Sequence, residues 1–324
     1  MTASTTRRTT AKSAKSRIAV VGAIAVAGTL LLTGCGDQTK SDDNEGSAKE
    51  SSKGAPLADK LPQQIRSKGV INVGSDIAYA PVEYKDDSGK AVGIDPDVAA
   101  ALGKQLGVTF NFQNGKFADL VGGLASKRYD IAMSAMTDTK DRQNGIDSDT
   151  GKKVGKGVDF VDYFTAGVSL YTLKGDDQGI KTWDDLCGKT IAVQTATFSQ
   201  DLAKDQAKKC KADGKKALKV EDFATNPEAE TRMRSKGADV VSADYPIAAY
   251  SVKKAGGGKD FEIVGDQVEA GPYGIAVAKD NAQLRDALQA AMTAIIKSGE
   301  YEKIIAKWGV EDGAVTEAKI NGGS

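Results

Sequence analysis

The chain of 324 residues contains no histidine. That removes serine–histidine triads, histidine-ligated zinc and imidazole acid–base catalysis. Cysteine is scarce too, with Cys35, Cys187 and Cys210 the only three. Nor is there an excess of positive charge. The 44 basic residues equal the 44 acidic ones. Residues 1–34 hold five of the basic residues (Arg7, Arg8, Lys12, Lys15, Arg17) and no acid, so the remainder carries a net charge of −5. No basic stripe suggests a nucleic-acid partner.

The first 34 residues read as an export signal. A basic segment precedes the apolar run IAVVGAIAVAGTLLL (18–32), with small residues at the cut. The run is too short for an ordinary membrane span. Leu32-Thr33-Gly34-Cys35 resembles the bacterial lipobox, in which the cysteine becomes the lipidated N-terminus. Arg7-Arg8 hints at twin-arginine export without the rest of that motif. Residues 36–60 have almost no large apolar side chain and read as a disordered tether of roughly 25–30 Å. The expectation is a body held at the outer face of a membrane by Cys35. In that oxidising setting Cys187 and Cys210 read as a disulfide, with two buried free thiols as the alternative.

Residues 61–324 alternate short apolar runs with helical patterns. Strands are expected at 70–75, 108–113, 129–134, 168–172, 189–193, 219–223, 238–242 and 274–278. Helices are expected at 95–107, 117–127, 198–210, 227–237 and 281–299. This alternation predicts an α/β fold with helices on both sheet faces. SKRYDIAMSA (126–135) echoes SKGADVVSAD (235–244), so two strands are expected to point their carboxyl ends at one crevice.

The segments VGIDPDVAAALGKQLG (92–107), SDIAYAPVEY (75–84), FADLVGGLASKRYDIAMSAMTDTKDR (117–142), DDLCGKTIAV (184–193), PYGIAVAK (272–279) and SGEYEKIIAKWG (298–309) occur in a familiar order. From about 61 to 310 the chain resembles bacterial solute-binding proteins for polar amino acids, family 3, the extracytoplasmic partners of ABC importers. Ile94 stands where the family more often has an aromatic. The resemblance implies a two-lobe clamshell, each lobe a mainly parallel sheet flanked by helices. The chain would cross the hinge near 163–168 and 271–275. Lobe 1 would comprise 61–165 plus 273–324, and lobe 2 would comprise 166–272. It also implies capture and delivery without turnover. Free amino acid and an ABC permease are the expected partners; a monomer with no cofactor and no metal is expected.

The same resemblance assigns site residues. Arg142 would clamp the ligand carboxylate with its guanidinium fork, helped by Thr137. Ala135 would offer its carbonyl to the ammonium, and Asp244 would supply the counter-charge. Tyr79 and Phe117 would wall the side chain, while Asp76 reaches its distal group beside Gln194. Thr197 and Gln200 have capping-box spacing, which starts a helix whose N-terminus, at Thr197 and Phe198, would face the carboxylate. Phe198 is bulkier than the family's Gly or Thr. Asp138 and Asp141 read as solvated loop acids. An extra negative charge at Asp76 favours a neutral polar or cationic ligand. The rival functions are a cyclohexadienyl-dehydratase-like enzyme, with Asp76 or Asp244 as acid–base group, and a ligand-sensing module. Segment 143–157, longer than the family's usual linker, reads as a surface loop.

Overall fold

A computed structural model describes residues 54–324, so the expected export signal, Cys35 and most of the expected tether lie outside the described residues. The body opens with α1 (Gln63–Lys68) and β1 (Val70–Ser75), in which Ile71 and Val73 are fully buried. A small antiparallel sheet follows, made of β2 (Ala78–Tyr79), β3 (Glu83–Lys85) and β4 (Ala91–Val92). In α2 (Ile94–Leu106), Ile94, Val98, Leu102 and Leu106 recur every fourth residue and all face the core. Full burial of each contributes roughly 1.5–3 kcal/mol. Pro96 sits in the first turn, where no intrahelical N–H is lost. Gly93, just before the helix, has φ 136°, and a Cβ there would lie 2.2 Å from the Val82 carbonyl oxygen. The Gly-Ile-Asp-Pro-Asp signature therefore has a backbone cause. Its second acid, Asp97, accepts from Trp308 Nε1 at 2.8 Å and Lys307 Nζ at 2.6 Å, tying the last helix to this one.

The chain continues through β5 (Thr109–Asn114), a 3-10 turn at Phe117–Asp119, α3 (Leu120–Ala125), β6 (Ile131–Ala132) and α4 (Lys140–Asn144). Next come β7 (Val158–Leu173), β8 (Thr190–Gln194), α5 (Phe198–Ala212), β9 (Lys219–Phe223), α6 (Asn226–Arg234), β10 (Val240–Asp244) and α7 (Tyr245–Lys254). Then β11 (Phe261–Ala278), α8 (Ala282–Lys297) and α9 (Glu300–Trp308) complete the body. The sheet order is β5-β1-β6-β11-β7-β10-β8-β9. Two parallel triplets, β5-β1-β6 and β10-β8-β9, are joined by the antiparallel pair β7–β11. This is the two-lobe α/β arrangement, and the long pair is its hinge.

The two long strands depart from the short runs expected at 168–172 and 274–278. Gly167, Gly271 and Pro272 look like strand terminators in sequence. Antiparallel pairing nonetheless continues past them, with Ala166 opposite Gly271 and Thr165 opposite Pro272. Register shifts around Val268, Gly271 and Tyr273 absorb the irregularity. The expected strand 129–134 shrinks to Ile131–Ala132, because Ser134 and Ala135 leave the sheet to line the cleft.

The sequence echo corresponds to repeated geometry. Lys127 and Lys236 both turn with positive φ, at 60° and 57°. Asp130 then clips the start of β1 by two bonds to Asn72, at 3.0 and 2.8 Å. Asp239 clips β8 in the same way at Thr190, at 2.9 and 2.7 Å. Each lobe thus pins its central parallel strand beside the one that carries cleft residues. Cys187 and Cys210 form a disulfide with Cα atoms 5.5 Å apart, Cys210 lying in the apolar cluster of the second triplet.

Candidate functional site

All ten residues that the resemblance assigned to a ligand, Asp76, Tyr79, Phe117, Ala135, Thr137, Arg142, Gln194, Thr197, Phe198 and Asp244, line one cavity between the sheet halves. Glu83 and Ser134 also line it, and neither was expected from sequence.

One wall is built from turns that follow β1 and β6. Asp76 follows β1 directly, and its N–H donates to Ser134 Oγ at 2.9 Å. Ala135 is held at φ 47°, a left-handed conformation that costs a non-glycine residue roughly 1–2 kcal/mol. Four residues later Thr139 caps α4 by accepting from the Arg142 N–H at 3.3 Å. The cap sets the direction of the Arg142 side chain, whose guanidinium lies 5.5 Å from the centre of the Phe117 ring. Arg142 Nη1 donates to the Thr137 carbonyl at 2.6 Å, and Nη2 crosses the cleft to the Ala196 carbonyl at 3.0 Å. Three of its five N–H groups have no partner among the described residues. Burial pulls the guanidinium below its ordinary pKa, against the pull of Asp201 and Asp244.

The opposite wall comes from the carboxyl ends of β8 and β10. Gln194 ends β8 and donates to the Asp76 carboxylate across the cleft and to the Ala224 carbonyl at 3.1 Å. Thr197 caps α5, accepting from the Gln200 N–H at 3.2 Å. The reciprocal half of the expected capping box is displaced by one residue, since Gln200 Oε1 takes the Ala196 N–H at 2.9 Å. Phe198 opens the helix and is half-buried. Asp244 ends β10. Its Oδ2 accepts from Tyr273 Oη at 2.8 Å, and its N–H donates to Tyr79 Oη at 3.3 Å.

Burial sets the electrostatics. It raises Asp76 to about 6, with the Gln194 bond opposing. It also raises Asp244 to about 6, against the bonds from Tyr273 and Tyr79 and the charge of Arg142. The arrangement offers a guanidinium with free donors, two strained or capped backbone turns, and carboxyl groups in want of a cation.

One expectation is corrected. Asp138 is not a solvated loop acid but is 1% exposed. Gln143 Nε2 donates to it at 2.7 Å and the Gly323 N–H at 2.8 Å, so it fastens the C-terminal segment. Of segment 143–157, Gln143 and Asn144 belong to α4 and Gln143 is buried, whereas residues 145–157 form a surface loop that reaches across the cleft. Ser148 Oγ donates to Asp201 at 2.8 Å and Lys204 pairs with Asp149 at 2.5 Å, both partners lying on α5. An exposed pair of this kind contributes only about 0.2–1 kcal/mol.

A fold of two parallel triplets on a paired hinge, with a polar cavity between them, defines a ligand-capturing clamshell. The chain belongs to the bacterial extracellular solute-binding proteins, family 3, whose model matches residues 71–311. The arginine-binding protein ArgT of Corynebacterium glutamicum is 29% identical over 262 residues, covering 81% of each chain. The L-cystine-binding protein TcyA of Bacillus subtilis is 26% identical, covering 92% of this chain and 98% of its own. Among solved structures, an ancestral arginine-binding protein bound to arginine is 34% identical with a TM-score of 0.66, covering 74% of this chain and 98% of its own. An ancestral amino acid-binding protein, described as a precursor of cyclohexadienyl dehydratase, is 32% identical with a TM-score of 0.65, covering 76% and 97%. The curated relatives are named as binding proteins rather than enzymes.

Proposed function

We propose that this chain captures a polar amino acid, specifically one with a cationic side chain, and delivers it to the permease of an ABC importer. The charge balance of the cavity carries the reading. Asp76 and Asp244 line it together with a single guanidinium, Arg142. An amino acid would place its carboxylate on Arg142 and its ammonium between the Ala135 carbonyl and Asp244. Tyr79 and Phe117 would flank its side chain, with Thr137, Thr197 and Phe198 closing round the carboxylate. Asp76 is then left over, with the neutral Gln194 as its side-chain partner. A cationic side chain supplies its missing charge, whereas an acidic one would be repelled. Arginine-binding proteins among the relatives support this choice. A thermal-shift screen of the twenty amino acids at pH 7.5 should show the largest increases with arginine or lysine. Stabilisation by glutamate or aspartate of equal size would overturn the cationic assignment.

In this reading lobe 1 spans 61–165 plus 273–324 and lobe 2 spans 166–272, and the protein works as a monomer. Cys35 carries lipid and holds the body outside the cytoplasmic membrane on its tether. Cys35→Ala should accumulate as uncleaved precursor or leave the membrane fraction for the medium. Normal processing with unchanged membrane fractionation would remove the lipid anchor from the proposal.

A further inference from the structure

Beneath the cavity wall lie two carboxyl groups for which capture as described gives no use. Glu83, on β3, and Asp95, in the first turn of α2, are both 0% exposed. They lie within hydrogen-bonding reach of each other. Ser134 Oγ donates to Glu83 Oε1 at 2.7 Å. Tyr163 Oη donates to Asp95 Oδ1 at 2.6 Å, and the Ala135 N–H to Asp95 Oδ2 at 3.4 Å. Glu83 Oε2 is buried and has no donor among the described residues. No lysine or arginine forms an ion pair with either group among the described residues.

Two buried carboxylates in contact, without a cation, cannot both stay ionised. One proton must lie between them. Both Asp95 oxygens already accept a bond, whereas Glu83 Oε2 accepts none, so the proton belongs on Glu83. We propose that Glu83 is a positioning residue for the bound amino acid: as a neutral carboxylic acid it donates from Oε2 to Asp95 and locks the Ser134–Ala135 turn. Burial and the neighbouring Asp95 push Glu83 well above the usual carboxylate range, which agrees with the placement. Asp76, Tyr79 and Tyr163 also face Glu83, and none of them supplies a positive charge.

The lock acts on two residues of the site. Through Oε1, Glu83 fixes the Ser134 hydroxyl, whose oxygen in turn accepts the Asp76 N–H. Through Asp95 it supports the N–H of Ala135, the residue held at φ 47°. Removing the acid strands Asp95 as an uncompensated buried charge and frees a turn that is costly to hold. The inference rests on the amino acid lying against that turn, as proposed above.

Calorimetric titration with L-arginine should show Glu83→Ala weakened by about tenfold or more, since a buried charged group is left stranded. Glu83→Gln, which can donate to Asp95 and accept from Ser134, should recover most of that loss. Carboxyl-carbon NMR of the unliganded protein should show a protonated carboxyl at pH 7 that disappears in Glu83→Gln. A glutamine variant as weak as the alanine variant would overturn the proposal, and so would a parent protein with every glutamate ionised at pH 7. Failure of the parent to bind arginine would instead overturn the cationic reading, and the NMR result on the unliganded protein would still decide the state of Glu83.

Discussion

Arg142→Ala is expected to weaken amino acid binding by about 30-fold to several thousand-fold. Removing one partner of a desolvated, hydrogen-bonded charge pair costs roughly 2–5 kcal/mol, because the other charge is left stranded. The geometry adds a second reason, since the same guanidinium bridges the cleft from the Thr137 carbonyl to the Ala196 carbonyl. Its loss removes a ligand contact and a contact that holds the two walls together. Arg142→Lys should recover little, because an ammonium reproduces neither the fork nor the stacking over Phe117. Asp141→Ala, half-buried in the first turn of α4 and absent from the cavity lining, should change affinity well under tenfold. Asp138→Ala should lower stability instead, because it releases Gln143 and the Gly323 N–H. Calorimetry with the ligand found in the thermal screen measures the first three; thermal unfolding measures the last.

Asp244→Ala is expected to cost affinity on the same scale, and the parent should show a pH signature that is smaller in the variant. In the unliganded protein Asp244 titrates at about 6 rather than 3.8, since burial disfavours its charge. The ammonium of a ligand needs the ionised form. Affinity should therefore fall as pH drops from 7.5 through 6. Stability of the unliganded protein should move the other way. A buried carboxyl whose pKa is raised by folding takes up its proton more readily folded than unfolded. Lowering pH through about 6 should raise the unfolding temperature until carboxyl groups in the unfolded chain also protonate near 3.8. Asp76, also at about 6, contributes in the same direction. Affinity and stability measured in parallel between pH 7.5 and 5 should diverge; a common decline would show that Asp244 is not the group that titrates.

The sequence made the site more legible than the fold that carries it. Arg142 closes a Thr-x-Thr-x-x-Arg run and Asp244 ends a strand that echoes another, so motif and repeat both point to them. Glu83 was hidden because an acid in a short strand beside Tyr84 and Lys85 reads as a solvent-facing position. It is buried where the first turn of α2 and the Ser134 turn meet β3. Asp138 misled for the opposite reason. Its loop is polar, and the tail that covers it arrives from 185 residues away, a distance no local pattern conveys. The hinge strands extend well beyond the expected 168–172 and 274–278, through Gly167, Gly271 and Pro272. Cross-strand pairing, a tertiary effect, carries them through. Helix boundaries fell within a few residues for α2, α5, α6 and α8, where four-residue apolar spacing and terminal glycine or proline act locally.

Calorimetric titration of the best cationic amino acid against its own decarboxylated amine tests the central claim most directly. The two molecules share the side chain and differ in the carboxylate that Arg142 is assigned to hold. The amino acid should bind one per chain, and the amine should bind at least about 30-fold more weakly. Equal affinities would contradict capture through the Arg142 clamp.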